Sequence, residues 1–187
     1  VNTYVLNNKG EEVEGDAFMV DLAVELKKSA DQQLLPVFES KQNGENIYII
    51  PMRGKGLWGP IWGFIALKDD MSTISGAVFD HKSETPGLGA EISLGWFQEP
   101  FIGKTIFKGT ELVSIKVVKG GAKEDDMHAV DGISGGTITA DGVNDMLAER
   151  FSKYLPFFKK KMSETIELSN VSTLVDSTMA FNLNTIQ

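Results

Sequence analysis

The sequence predicts an α+β fold: a mostly antiparallel sheet with a few packed helices. Three observations predict it. Several short runs rich in β-branched and aromatic residues come before the one strong helical pattern. An Asn43-Gly44 pair separates two apolar runs, the signature of a tight hairpin. Strands and helices do not alternate regularly, as a parallel doubly wound sheet would require.

The elements follow in order. "TYVLNNKGEEVEG" reads as strand, polar turn, strand. "DAFMVDLAVELKKSADQQ" alternates like a strand, but its Ala, Leu, Glu and Lys content favours a helix; both readings stay open. "LLPVFES" and "NIYIIPM" form the hairpin arms. Ile61 to Leu67 is apolar enough for a buried strand, and "STISGAVFDHKS" is another strand. "TELVSIKVVKGG" alternates as one central or edge strand. In "VNDMLAERFSKYLPFFKKK", Val143, Met146, Leu147, Arg150, Phe151 and Tyr154 fall at helical spacing, and Pro156 is expected to end or kink the helix. Residues 163–187 carry no firm assignment; their Ser/Thr density suggests short structure or a tail.

Composition narrows the function. The chain has 187 residues, enough for one domain with a real core. A net charge of −8 argues against a general nucleic-acid binder, which would show a basic face. With no cysteine there is no disulfide, thiolate zinc site or cysteine nucleophile. Two distant histidines make a histidine-rich metal site unexpected, and the acidic run Glu124 to Asp126 lacks the spaced ligands of a calcium loop. No metal site is predicted. No apolar run reaches the length of about 18 residues that spans a bilayer.

The stretch "VDGISGGTITADGV", residues 130–143, carries the chemistry. Asp131, Ser134, Gly135, Gly136, Thr137 and Thr139 lie just before the helix that the pattern opens at Val143. A helix start exposes unpaired N–H groups and the positive end of the dipole, and glycines let backbone approach a ligand closely. That makes a phosphate cradle. It is no P-loop, because no lysine lies between Lys123 and Lys153, and it lacks the dinucleotide G-x-G-x-x-G. The plainer reading is a helix cap on Thr139 or Asp141 with glycines turning the chain.

"DGISGGT" resembles the flavinylation motif Asp-x-x-Ser/Thr-Gly-Ala-Thr of the FMN-binding domain family. Asp131, Ser134, Gly135 and Thr137 match; Gly136 stands where alanine is usual. The resemblance implies FMN carried covalently on Thr137 through its phosphate, and a flavin transferase that attaches it from FAD with a divalent metal. A threonine hydroxyl is too weak a nucleophile to do this unaided.

Two further glycine-rich stretches, "RGKGLWGPIWGFIALKDD" and "FDHKSETPGLGAEI", extend the likeness from about Tyr4 to Phe158. With all three, the chain resembles the C-subunit branch of that family, found in sodium-translocating NADH:quinone reductases, more than its Rnf relative. Thr85-Pro86-Gly87-Leu88-Gly89 reads as a turn with proline fixing φ and glycine where φ is positive. The resemblance places this loop at the isoalloxazine, and Glu84 before it is a further candidate for cofactor binding. Trp58 is expected near the ligand and Trp62 in the core. Lys55 and Arg53 are candidates to balance the flavin phosphate, or else solvated surface charges. His81 is expected to be structural.

The resemblance then implies an electron-transfer subunit of a membrane complex, with the other subunits as partners and the redox chemistry left to the flavin. No catalytic residue is expected, and the isolated domain would turn over no substrate of its own. Family members carry one N-terminal transmembrane helix; none precedes Val1 here, so the expectation is a single extracytoplasmic FMN-binding domain over 1–187 without its anchor, facing the periplasmic side of the inner membrane. Two alternatives stay open: an Rnf-type subunit or another FMN module of the family, and a non-redox domain whose loops hold a different phosphate or a partner chain.

Overall fold

A computed structural model of the protein describes residues 1–183, with side chains through residue 167. Strand β1 (Asn2–Leu6) folds back on β2 (Glu12–Val13) through a polar turn. The Asn7 side chain holds that turn by accepting from Lys9 N at 2.9 Å and Glu11 N at 3.1 Å. Residues 16–33 settle the helix-or-strand ambiguity as short helical turns. These are 3-10 turns at Ala17–Met19 and Ala30–Gln32 around the four-residue α1 (Leu22–Glu25). Asp16 caps the Ala17–Met19 turn by accepting from Phe18 N, and Asp21 caps α1 by accepting from Ala23 N.

The predicted hairpin forms. Strands β3 (Leu35–Gln42) and β4 (Glu45–Lys55) are joined at Asn43 and Gly44, whose φ angles of 52° and 88° are the left-handed pair of a type I′ turn. β5 (Pro60–Lys68) and β6 (Ile74–His81) complete a six-stranded antiparallel sheet in the order β2-β1-β3-β4-β5-β6. β5 buries Ile61, Gly63, Ile65 and Leu67 on one face. The alternation turns Trp62 and Phe64 outward. Trp62 is therefore half-buried on the outer face, and not in the core where the sequence placed it.

Two 3-10 turns, Gly89–Ser93 and Glu99–Phe101, flank α2 (Gly95–Gln98). Together they bring Ile92, Phe97 and Phe101 onto Phe79 of β6. A small ladder of β7 (Phe107–Lys108) and β8 (Glu111–Leu112) follows. The single strand expected from "TELVSIKVVKGG" does not form. Ser114 takes a φ of 63°, which breaks the extended run and leaves only β9 (Lys116–Val118) beyond it. β9 pairs in parallel with β10 (Ala129–Asp131), apart from the main sheet.

The long helix α3 (Thr137–Leu183) lies on the inner face of the sheet. Val143, Met146, Leu147, Phe151, Tyr154 and Phe158 sit in the core against Ile50, Met52, Ile61 and Ile65. Arg150, at the same spacing, is equally buried, with Nη2 on Glu149 at 2.6 Å. Two expectations change here. The helix begins at Thr137 and not at Val143, because burial of Ala140 and Val143 outweighs the poor helix propensity of the Thr-, Ile- and Gly-containing first turns. It also runs through Pro156 and past residue 163. Pro156 and Ser152, whose carbonyl loses the N–H partner that a non-proline residue would supply, are both exposed on the helix. Residues 184–187 of the uncertain tail lie outside the described residues. Among the described residues no helix is long and apolar enough to cross a membrane.

Candidate functional site

Three loops meet at the start of α3. The first, residues 56–59, joins β4 to β5 and closes through Gly56 N to Gly59 O at 2.8 Å. The second follows β6. Leu88 N donates to Thr85 O at 3.1 Å and Gly87 has a φ of 75°, so Thr85–Leu88 is a type II turn with Pro86 at its second position. The third, residues 132–136, leads from β10 into α3.

Glu84 ties them together. It is only 4% exposed. Its Oε1 accepts from Trp58 N at 2.8 Å, and its Oε2 accepts from the Thr139 hydroxyl. A Cβ on Gly56 or on Gly89 would lie 2.6 Å from one or other carboxylate oxygen, so only glycine lets both loops close on it. Burial pushes the Glu84 carboxyl upward. Hydrogen bonds from Thr139 and from the amides of Trp58, Leu57 and Gly59 outweigh that and hold it below the usual carboxylate range. The Glu84 amide donates to His81 Nδ1 at 3.1 Å. His81 is thus a structural acceptor at the loop, as expected from the sequence.

Two clefts flank the third loop. One, of about 230 Å³, presents the apolar side chains of Leu57, Leu88 and Ile138 together with Glu84, Thr85, Gly89 and Thr139. The other, of about 410 Å³, is lined by Lys119, Gly120, Gly121, Asp131, Gly132, Ile133 and Ser134. Gly135 and Thr137 line both, and Gly136 lines the apolar one. Thr137 is half-buried at the first position of α3. Among the described residues nothing hydrogen-bonds its hydroxyl. The first backbone bond of the helix runs from Ala140 N to Gly136 O at 3.0 Å, and among the described residues no carbonyl accepts from the amides of Thr137, Ile138 and Thr139 at the helix start.

The residues expected from the sequence are distributed unevenly. Ser134, Gly135, Gly136 and Thr137 come together with Thr85, Leu88 and Gly89. Gly87 sits at the exposed tip of its turn. Thr139 lines the apolar cleft, but its hydroxyl is engaged by Glu84. Asp131 lines the polar cleft, and its Oδ1 accepts from Ala122 N at 2.7 Å, holding the 119–122 loop in place. Trp58, in the first loop, is 64% exposed and lines neither cleft. Lys55 lines neither; its carbonyl packs under Gly142 of α3. Arg53 pairs with Trp62 across β4 and β5. The cation at the polar cleft is Lys119, which sequence reasoning missed along with Gly120 and Gly121. The doubled glycine after a lysine was the available signal; the parallel β9–β10 pairing that brings it to Asp131 was not.

The arrangement suits a flat, anionic ligand: an apolar wall, free amides at a helix start, and a lysine nearby. The family model described as the FMN-binding domain matches residues 56–151, which contain all three loops. The chain belongs to the FMN-binding domain family. Within that family it is similar to the C subunit of Na(+)-translocating NADH-quinone reductase. The Vibrio campbellii protein of that name is 43% identical over 104 residues, covering 54% of this chain and 40% of the relative. The Neisseria meningitidis protein is 40% identical over 117 residues, covering 62% and 45%. The chain thus spans about two fifths of the length of these relatives. The crystal structure of the same reductase component from Parabacteroides distasonis superposes with a TM-score of 0.78 at 45% identity, over 84% of this chain and 77% of that one. Shewanella oneidensis NqrC gives 0.73 at 28% identity, over 87% and 84%. The α+β fold with its antiparallel sheet is the one these structures share.

Proposed function

We propose that this chain is the flavin-carrying part of an electron-transfer subunit of a sodium-pumping NADH:quinone reductase, with FMN held covalently on Thr137 through a phosphoester. The observation that carries this reading is the Thr137 hydroxyl at the junction of two clefts, which, like the three helix-start amides beside it, has no partner among the described residues. A phosphate esterified there would meet those amides and the positive helix end, with Lys119 across the polar cleft. Leu57, Leu88 and Ile138 offer the apolar contact that isoalloxazine rings need. The bound flavin supplies the redox chemistry; the chain orients it and shields one side from water.

Attachment balances as a phosphoryl-type transfer. The Thr137 oxygen forms a bond to the FMN-side phosphorus of FAD, the pyrophosphate bond breaks, AMP leaves with the bridging oxygen, and the hydroxyl proton passes to a base outside this chain. On this reading the maturation partner is a flavin transferase, the working partners are other subunits of the complex, and the domain lies on the extracytoplasmic side of the membrane. Co-expression with a flavin transferase tests it. The denatured band should fluoresce as flavin only when the transferase is present. A band that stays dark under those conditions favours a non-redox module.

A further inference from the structure

The motif offers three hydroxyls, at Ser134, Thr137 and Thr139. Ser134 is exposed on the loop, and among the described residues no side chain hydrogen-bonds it. Thr139 looks at first like the best nucleophile, because its hydroxyl donates to a carboxylate, the usual pairing of nucleophile and base. Two facts remove it. Thr139 is 1% exposed, so no phosphorus centre can line up with its oxygen. The Glu84 carboxylate is already held by backbone amides, which makes it a weak base.

Helix geometry links the two threonines. Residues two apart on an α-helix point about 200° away from each other. Holding Thr139 inward therefore turns Thr137 outward, to the junction of the clefts. The same carboxylate grips the 56–59 loop through Trp58 N, and the Gly89 backbone packs against both Glu84 and Thr139. The apolar wall made by Leu57 and Leu88 is thus set by the group that sets the helix start.

We infer that Glu84 is the positioning residue that makes Thr137 the hydroxyl to be modified: it locks Thr139 inward and fixes the first turn of α3 against the other two loops. The inference rests on the reading that residue 137 is esterified. Glu84 touches neither the reacting oxygen nor phosphorus; it acts through Thr139 and the loops.

The test uses the 187-residue chain, FAD, a divalent cation and a purified flavin transferase. Initial attachment rates are read by flavin fluorescence of denatured bands, and the modified residue by peptide mass mapping. Circular dichroism confirms that each variant is folded. E84Q and T139V should slow attachment by about tenfold or more, the size expected when a reacting group is misplaced by a fraction of an ångström to an ångström. The loss should fall on kcat for the chain as substrate and not on KM, because transferase docking is untouched. T139S keeps the hydroxyl and should restore the rate to within about twofold of wild type. Should E84Q fail to fold, T139V, which keeps the side-chain shape, and T139S, which keeps the hydroxyl, decide the matter. Equal rates in wild type and T139V, or T139S as slow as T139V, overturn the inference alone. Flavin found on Ser134 or Thr139 of the wild-type chain overturns both it and the reading beneath it.

Discussion

The Tyr154 hydroxyl donates to the Pro36 carbonyl at 2.8 Å, tying α3 to β3 across 118 residues of sequence. Tyr154 is fully buried, and burial pushes its phenol well above the usual range. The bond is therefore a neutral, dry one. Tyr154→Phe keeps the ring and leaves a buried carbonyl without that donor. It should cost about 1–3 kcal/mol in urea unfolding, with an unchanged slope. A loss below a few tenths would mean that the helix is held by apolar contact alone.

Gly142 lies where α3 crosses the end of β4. A Cβ there would collide with the Lys55 carbonyl oxygen. Alanine is the better helix former by about 1 kcal/mol, so propensity alone predicts that Gly142→Ala stabilises. The backbone contact is the larger effect, because neither partner is a flexible side chain. The substitution should lower stability by about 1–3 kcal/mol. A raised melting temperature would contradict the close approach.

Glu84 also predicts a pH dependence. Its carboxyl is held below the ordinary value in the folded protein, so its contribution to stability is present above the unfolded value of about 4.3 and is lost as pH falls through the folded one. E84Q removes a buried charged acceptor and should cost about 2–3 kcal/mol at neutral pH. Glu25 and Glu39 are lowered as well, the first by Lys28 and the Leu34 amide, the second by Tyr4, Asn2 and Tyr48 side chains, in each case against the upward pull of burial. Their slopes are common to both proteins and cancel in the difference. The gap between wild type and E84Q should therefore stay level from neutral pH down to about pH 5 and shrink as pH falls below the unfolded value. A gap constant with pH would mean that the carboxylate form is not what the loops need.

Local chemistry was legible in the sequence; distant pairing was not. Asn43-Gly44 announced its hairpin, and Pro86-Gly87 its turn, because each demands a φ that few residues accept. The motif from Asp131 to Thr137 was readable as a glycine turn into a helix for the same reason, and Gly135 takes a φ of 74° there. Ser114 carries no such sign: nothing in its type predicts a left-handed φ, and the strand expected there is broken. Trp62 points outward because the register of β5 buries the odd-numbered residues, a parity that apolar residues on both faces concealed. Lys119 reaches the site only through β9–β10 pairing, and Glu84 meets Thr139 across 55 residues. Side-chain identity supplied candidates; tertiary contact decided which of them face the clefts.

On the proposed reading, position 137 bears the flavin. After co-expression with a flavin transferase, proteolysis and mass spectrometry should find one peptide, the one containing Thr137, heavier by an FMN less water. Thr137→Ala should abolish that mass. It should also leave the fold within about 1 kcal/mol of wild type, since its hydroxyl has no partner to lose among the described residues. Flavin that survives denaturation on the Thr137→Ala chain, or on any other peptide of the wild type, would contradict the account.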